Sequence, residues 1–275
     1  MSETEKDVKS IQVNMTISAW GSGLTQLAEF SALSEEEVAD AARKGGVWCK
    51  RIKLHKLRRV RNLEEPLSIG DELYLNYNAS VLAQTPLVPV IVADEVNYSI
   101  WNKPAGMLSQ GSKWSDHCTI TETVSGVHGK PTFLVHRLDR AAAGLIVVAH
   151  TKNALKKLTE LFAERKVTKH YRVQVHGIFD SPVPMRLDAD VQSKAAITDI
   201  MEATSDKKSN TSSLLVSIET GRKHQIRDHL SAKGFPVVGD RLFDPDRKHE
   251  QDLSLTACLL AFECPFTGVK KQFEI

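Results

Sequence analysis

The residues best equipped for chemistry lie in His136-Arg137-Leu138-Asp139-Arg140, where one carboxylate stands between two guanidinium groups. From Gly144 an apolar run follows, Leu145-Ile146-Val147-Val148-Ala149, which predicts a buried strand. An ionised carboxylate held in place can attack a carbon centre as nucleophile or remove a proton as base. Under cover from water its charge is costly unless a cation pairs with it, and a nearby arginine also keeps its pKa low. Two later segments concentrate further polar groups: Lys169-His170-Tyr171, and Thr220-Gly221-Arg222-Lys223-His224-Gln225-Ile226-Arg227. His224 and His229 are five apart and poorly placed to share a metal on one helical face, so each reads as a hydrogen-bonded histidine.

The elements that must position these groups are legible in outline. Tyr98 to Asn102 predicts a strand, and Lys103-Pro104-Ala105-Gly106 a sharp turn. From Lys152 to Arg165 the spacing of Leu155, Leu158, Leu161 and Phe162 predicts an amphipathic helix. Strands are expected at Tyr171 to His176, Leu214 to Glu219, Leu259 to Glu263 and Gln272 to Ile275. Near the start, Ser34 and Glu37 form a capping-box pattern for a helix from about Glu35 to Lys44, which Gly45-Gly46 should end. Gly21-x-Gly23 lacks the third glycine and flanking strand of a dinucleotide fingerprint and reads as a turn. Pro86 and Pro89 mark a linker entering an edge strand, so a boundary between a small and a larger domain is placed near there.

A chain of 275 residues, 41% hydrophobic and 25% charged, fits an ordinary globular protein with no apolar run long enough to span a bilayer. The start, Met1-Ser2-Glu3-Thr4-Glu5-Lys6-Asp7, has neither the basic leader nor the apolar stretch of a secretory signal, which gives a cytoplasmic expectation. Cys49, Cys118, Cys258 and Cys264 form no Cys-x-x-Cys pair, which argues against a zinc or disulfide framework. The net charge of +2 conceals an uneven distribution, since nine Lys or Arg residues and no acid lie between Arg43 and Arg61, leaving −7 on the rest. That concentration points to phosphate binding by Lys50, Arg51, Lys53, Lys56, Arg58, Arg59 and Arg61.

In this order and spacing, the His-Arg-Leu-Asp, Lys-x-Tyr and Thr-Gly-Arg-x-His-Gln-Ile-Arg segments resemble a pseudouridine synthase of the RluA type. The resemblance extends over Asn102-Lys103-Pro104-Ala105-Gly106, Pro236-Val237-Val238-Gly239-Asp240, Leu255-Thr256-Ala257 and Pro265-Phe266-Thr267-Gly268, from about Tyr98 to the C-terminus. It implies that Asp139 is the catalytic carboxylate, Arg227 its cation and Tyr171 the aromatic residue that packs on the target base. It also implies that Arg137, Arg140, Arg222, His224 and Gln225 bind substrate. Isomerising uridine to pseudouridine detaches the ring from its sugar and rejoins it through a ring carbon, so no metal or organic cofactor is expected.

Lys-Gly-Gly-Val followed by Gly-Asp-Glu-Leu is similar to a small RNA-binding module of many pseudouridine synthases and of a ribosomal small-subunit protein, although the usual Arg-Leu-Asp entry is replaced by Gly23-Leu24-Thr25. The implied architecture is α+β. A flexible lead (1–19) precedes a small N-terminal RNA-binding α/β module (20–80) and a linker with edge strand (81–97). The catalytic domain (98–275) is built on a mixed, largely antiparallel sheet. Its partner would be RNA, ribosomal RNA with transfer RNA as the alternative, and the protein a monomer.

The chain departs from the family pattern at Ala142-Ala143, where Thr-Ser is usual, and at Lys223, Asp228 and Thr256. Asp228 is a candidate competitor of Asp139 for Arg227. The missing hydroxyls motivate an alternative, a catalytically weak or inactive RNA-binding or assembly protein that retains the fold.

Overall fold

Ser34 accepts a hydrogen bond from the Glu37 amide while the Glu37 carboxylate accepts one from the Ser34 amide, so the expected capping box starts a helix at Glu35. In the computed structural model, which describes residues 9–52, 54, 56–244 and 251–275, two units emerge. The first comprises residues up to Pro86 together with Gln110–Thr123; the second comprises Leu87–Ser109 and Val124–Ile275. No helix among the described residues is long and apolar enough to cross a membrane.

The first unit contains β1 (Ser10–Thr16), α1 (Gly23–Ser31), α2 (Glu35–Arg43), β2 (Val47–Lys50), β3 (Leu57–Arg59), β4 (Glu72–Asn78) and α3 (Ala79–Leu82). Its antiparallel sheet has the order β1-β4-β2-β3. Leu73, Leu75 and Tyr77 alternate inward along β4 and meet Val47 and Cys49 of β2 and Leu27, Val38 and Ala41 of the helices. The lead expected over residues 1–19 is corrected at Ser10–Thr16: its Ile11, Val13 and Met15 pack on this core as β1. Alternation over only seven residues, with polar partners between, conceals such a strand until β4 supplies its register.

Part of the basic run is ion-paired in the fold. Lys50 pairs with Glu72 at 2.7 Å, Arg51 with the buried Asp71 at 3.0 Å, and Arg59 and Arg61 with Asp116 at 2.8 and 2.9 Å. Arg59 also lies over the Trp48 ring, 4.3 Å from its centroid. Acids absent from the run in sequence reach it through strand register (Lys50 opposite Glu72) and through the 110–123 segment. Lys56 and Arg58 are exposed without a side-chain ion pair among the described residues; Lys53 lies outside the described residues.

The second unit is built on β5 (Val90–Asp94), β6 (Tyr98–Lys103), β7 (Phe133–Leu134), β8 (Ala143–Ala149), β9 (Thr168–His176), β10 (Met185–Leu187), β11 (Thr198–Asp206), β12 (Thr211–Ile218), β13 (Leu255–Glu263) and β14 (Lys270–Glu274). Its helices are the part of α4 (Ile120–His128) from Val124 on, α5 (Lys152–Ala163) and α6 (Gln225–Ala232). Main sheet order is β10-β11-β12-β9-β13-β8-β6-β5, antiparallel except where β13 runs parallel to β8. The Leu145–Ala149 run is fully buried in the middle of that sheet, as a continuous apolar strand should be. α5 lays Ala154 and Leu158 against Leu145, Val147 and Leu260, and burying Leu158 contributes about 1.5–3 kcal/mol. Gly144, the second residue of β8, has φ +111°, and a Cβ there would sit 2.3 Å from the Ala257 carbonyl oxygen, so a side chain is excluded where β8 meets β13. Neither β11 nor α6 was delimited by the sequence pattern.

Candidate active site

Asp139 sits in the loop between β7 and β8, and the loop is held from below by the turn that follows β6. Lys103, the last residue of that buried strand, is wholly inaccessible. Its ammonium donates to the carbonyls of Pro104, Met107 and Ala142 at 3.1, 3.0 and 2.6 Å, and at 3.4 Å to that of Arg140. Burial pulls its pKa down to about 8, against the opposing pull of the Asp139 charge. Ser109 accepts from the Leu138 amide at 3.1 Å and donates to the Leu138 carbonyl at 2.7 Å; the Gly106 amide bonds the Arg140 carbonyl at 2.8 Å. The residues on both sides of Asp139 are thus fixed by backbone bonds. Ala142 contributes a carbonyl here, which needs no hydroxyl.

A cavity of about 220 Å³ opens above the loop, walled by Asp139, Tyr171 and the segment from Gly221 to Arg227. Arg227, in the first turn of α6, reaches Asp139 Oδ2 at 3.3 Å. Its stronger attachment is to Asp240: Nε and Nη2 each donate at 2.7 Å to a different carboxylate oxygen. The two parallel bonds fix the plane of the guanidinium and leave Nη1 aimed at Asp139. Burial would lower the pKa of Arg227, but the bonds to Asp240 and Asp139 outweigh it and raise it. Asp240 is pushed up by burial and more strongly down by Arg227 and the amides of Phe243 and Leu242, leaving it below its ordinary value. Gly239 precedes it at φ +82°, where a Cβ would meet the Asp252 carbonyl at 2.2 Å. Phe243 closes the cluster, its ring centroid 5.2 Å from the Arg227 guanidinium.

His224 Nε2 lies 3.8 Å from the same Asp139 oxygen, and burial lowers its pKa. No hydrogen bond or ion pair among the described residues reaches Asp139 Oδ1, and the side chain, 18% exposed, lines the cavity. Tyr171, on β9, is 9% exposed and lines the cavity; burial, then the Asp139 charge, raise its pKa, which keeps the phenol neutral. Asp139, Tyr171, Arg227, His224, Arg137 and Arg222 are therefore brought together.

Other expected residues take different parts. Gln225 lines the cavity but its amide is fully engaged: Oε1 accepts from Thr220 and the Arg222 amide, and Nε2 donates to Ile197 and Thr198, at 2.7–3.0 Å. With both donors and both lone pairs used, its amide holds the loop. Arg140 points its Nε to the Gly106 carbonyl at 3.1 Å and does not line the cavity. Asp228 forms no ion pair with Arg227; Asp240 is the acid that shares it. The sequence pattern assigned no role to Lys103, Ser109 or Asp240. A lysine closing an otherwise apolar strand was the available signal for the first, because a fully buried lysine demands partners. Among the described residues, Asp94, His128 and His150 form a group whose ligand atoms lie within 4.8 Å of one another, but none of them lines this cavity.

The RNA pseudouridylate synthase family matches residues 97–232. Among solved structures, human RNA pseudouridylate synthase domain containing 1 superposes with a TM-score of 0.55 at 23% identity, covering 68% of this chain and 85% of that one. Human RNA pseudouridylate synthase domain containing 4 gives 0.55 at 20% identity, covering 68% and 87%. Fold and sequence thus define an α+β RNA pseudouridine synthase domain, an isomerase acting on RNA. A dual-specificity RNA pseudouridine synthase RluA of Escherichia coli O6:H1 is 34% identical over 217 residues, 72% of this chain and 96% of its own length. The uncharacterized RNA pseudouridine synthase YlyB of Bacillus subtilis is 30% identical over 220 residues, 70% of each chain. Ribosomal large subunit pseudouridine synthase D of Zymomonas mobilis is 29% identical over 217 residues, 67% of this chain and 68% of its own. The chain belongs to the RluA-type family of RNA pseudouridine synthases.

Proposed function

We propose that Asp139 is the carboxylate that carries the isomerisation of uridine to pseudouridine, and that the RNA is ribosomal. The observation that supports it is the Arg227–Asp139 pair at the wall of a cavity also walled by Tyr171. A uridine flipped out of its stack loses stacking energy that the Tyr171 ring partly restores, and Asp139 Oδ1 then faces the nucleoside as nucleophile or base. Arg227 pairs with that carboxylate through Oδ2 and leaves its other oxygen unpaired. Arg137, Arg222 and His224 line the approach and contact the RNA there, while Lys56 and Arg58 of the small unit hold backbone phosphates.

Ribosomal RNA as substrate is supported by the name of the Zymomonas relative, and transfer RNA is the alternative to which a dual-specificity relative points. The test is to incubate the purified protein with ribosomal RNA and transfer RNA from cells lacking it and to map pseudouridine. A new site in ribosomal RNA made by the wild type and not by Asp139→Ala is expected. RNA binding with no new site in either RNA would leave an inactive RNA-binding protein of this fold as the correct reading.

A further inference from the structure

Beside the catalytic cavity lies a second one of about 430 Å³, and the two share Arg137, Tyr171 and Arg222 among their walls. The second is rich in cations: besides the two shared arginines it is lined by Arg165 and Lys169. The one carboxylate among its lining residues, Glu219, is held by Arg186. The side chains of Lys169 and Arg165 have no hydrogen-bond or ion-pair partner among the described residues, and burial together with Arg165 lowers the Lys169 pKa. His136 adds no charge. Its Nε2 accepts from the Val147 amide at 3.1 Å, its ring stacks on Phe162 at 4.4 Å, and burial with the nearby Lys169 brings its pKa to about 3.

Like charges gathered in a groove whose one carboxylate is already engaged by another arginine are unfavourable unless an anion arrives to neutralise them. Arg165 follows the end of α5 at φ +57°, the left-handed conformation in which helices commonly end. Lys169 lies two residues before Tyr171 on β9, on the same face of the strand and about 7 Å along it.

We propose that this second cavity binds a backbone phosphate of the nucleotide next to the flipped uridine, with Lys169 and Arg165 as its grip. The site rests on the proposed reading of the first cavity as the seat of the uridine. Its role is positioning: it sets how far the strand must advance for one base to reach Tyr171 and Asp139.

Affinity of the full-length protein for bulk transfer RNA and for a large-subunit ribosomal RNA transcript, measured between 50 and 200 mM potassium chloride, tests this directly. Lys169→Met is expected to weaken binding about tenfold and to reduce the slope of log affinity against log salt by about 0.7–0.9, the loss of one phosphate contact. Lys169→Arg should restore both. At saturating RNA, kcat of Lys169→Met should stay within about threefold of wild type while KM rises. Arg165 is exposed, so Arg165→Ala gives a second variant expected to fold and to show the same pattern. An unchanged slope in both Lys169→Met and Arg165→Ala, or a fall in kcat with affinity and slope unchanged, overturns the phosphate site. A wild-type protein that forms no pseudouridine in either RNA while the slope still responds to Lys169 overturns the catalytic reading and leaves the anion site standing.

Discussion

Asp240 sets where the Arg227 guanidinium points, and a double-mutant cycle measures how much that matters. Arg227→Gln strips the cation from a carboxylate with no exposed side-chain surface that receives two guanidinium bonds of 2.7 Å. Two charge-assisted bonds at about 1.5–3 kcal/mol each, and the roughly 3–5 kcal/mol found when a buried pair is broken, agree on a stability loss of about 3–5 kcal/mol. For a protein of this size that lowers Tm by about 10 °C or more. Asp240→Asn keeps an oxygen for the Leu242 and Phe243 amides but presents Arg227 with a donor, so the guanidinium swings toward Asp139. A shift of about 1 Å at a reacting group costs on the order of 100-fold, which is the expected fall in kcat. The double variant Asp240→Asn/Arg227→Gln replaces both charges with neutral amides and should recover about 2 kcal/mol relative to the sum of the singles. Thermal melts and single-turnover pseudouridine formation supply the two readouts. Additive losses of stability, together with an Asp240→Asn kcat within threefold of wild type, would refute the idea that Asp240 aims the cation. The pH dependence carries the same signature. The folded pKa of Asp240 is depressed, so its contribution is complete above the ordinary carboxylate range near 4 and is lost as pH falls through the lower folded value; Asp240→Asn lacks this component.

Three further outcomes are expected. The rate should fall as pH rises through about 8, where Lys103 loses the proton that holds the Asp139 loop, and Lys103→Met should be slow with no inflection there. Because the folded pKa of Lys103 lies below its ordinary 10.5, its contribution to stability increases with pH between about 8 and 10.5; melts across that range that track the rate would show unfolding instead. Tyr171→Phe should keep kcat/KM within about threefold, while Tyr171→Ala should lose roughly 10–100-fold, the value of about 1–3 kcal/mol of stacking; equal losses in both would make the hydroxyl the working group. Gly144→Ala should destabilise by about 2–4 kcal/mol through its clash with Ala257, and an unchanged Tm would contradict the close approach of β8 and β13.

The basic run shows how far charge counting carries. Nine cations without an acid suggested a phosphate-binding face, yet Glu72, Asp71 and Asp116 neutralise several of them, because strand pairing and a segment some fifty residues away bring acids that a linear count places elsewhere. The capping box at Ser34, the apolar strand after Gly144 and the helix from Lys152 were legible because each depends on contacts within a few residues. β1 and β11 were not, since their alternation becomes meaningful only against a partner strand.

By itself the sequence determined the chemical vocabulary of this protein: a carboxylate before a buried strand, an aromatic residue on a second strand, and a polar motif ending in Arg227. Local periodicity and motif order suffice for that, because they are properties of the chain. Only the tertiary structure decided the grammar. It assigned Arg227 first to Asp240 and through it to Asp139, committed Gln225 to the loop, and buried Lys103 beneath the carboxylate. Each of these depends on which polar groups lose water together, and residues far apart in the chain share a desolvated site only once the sheet has formed.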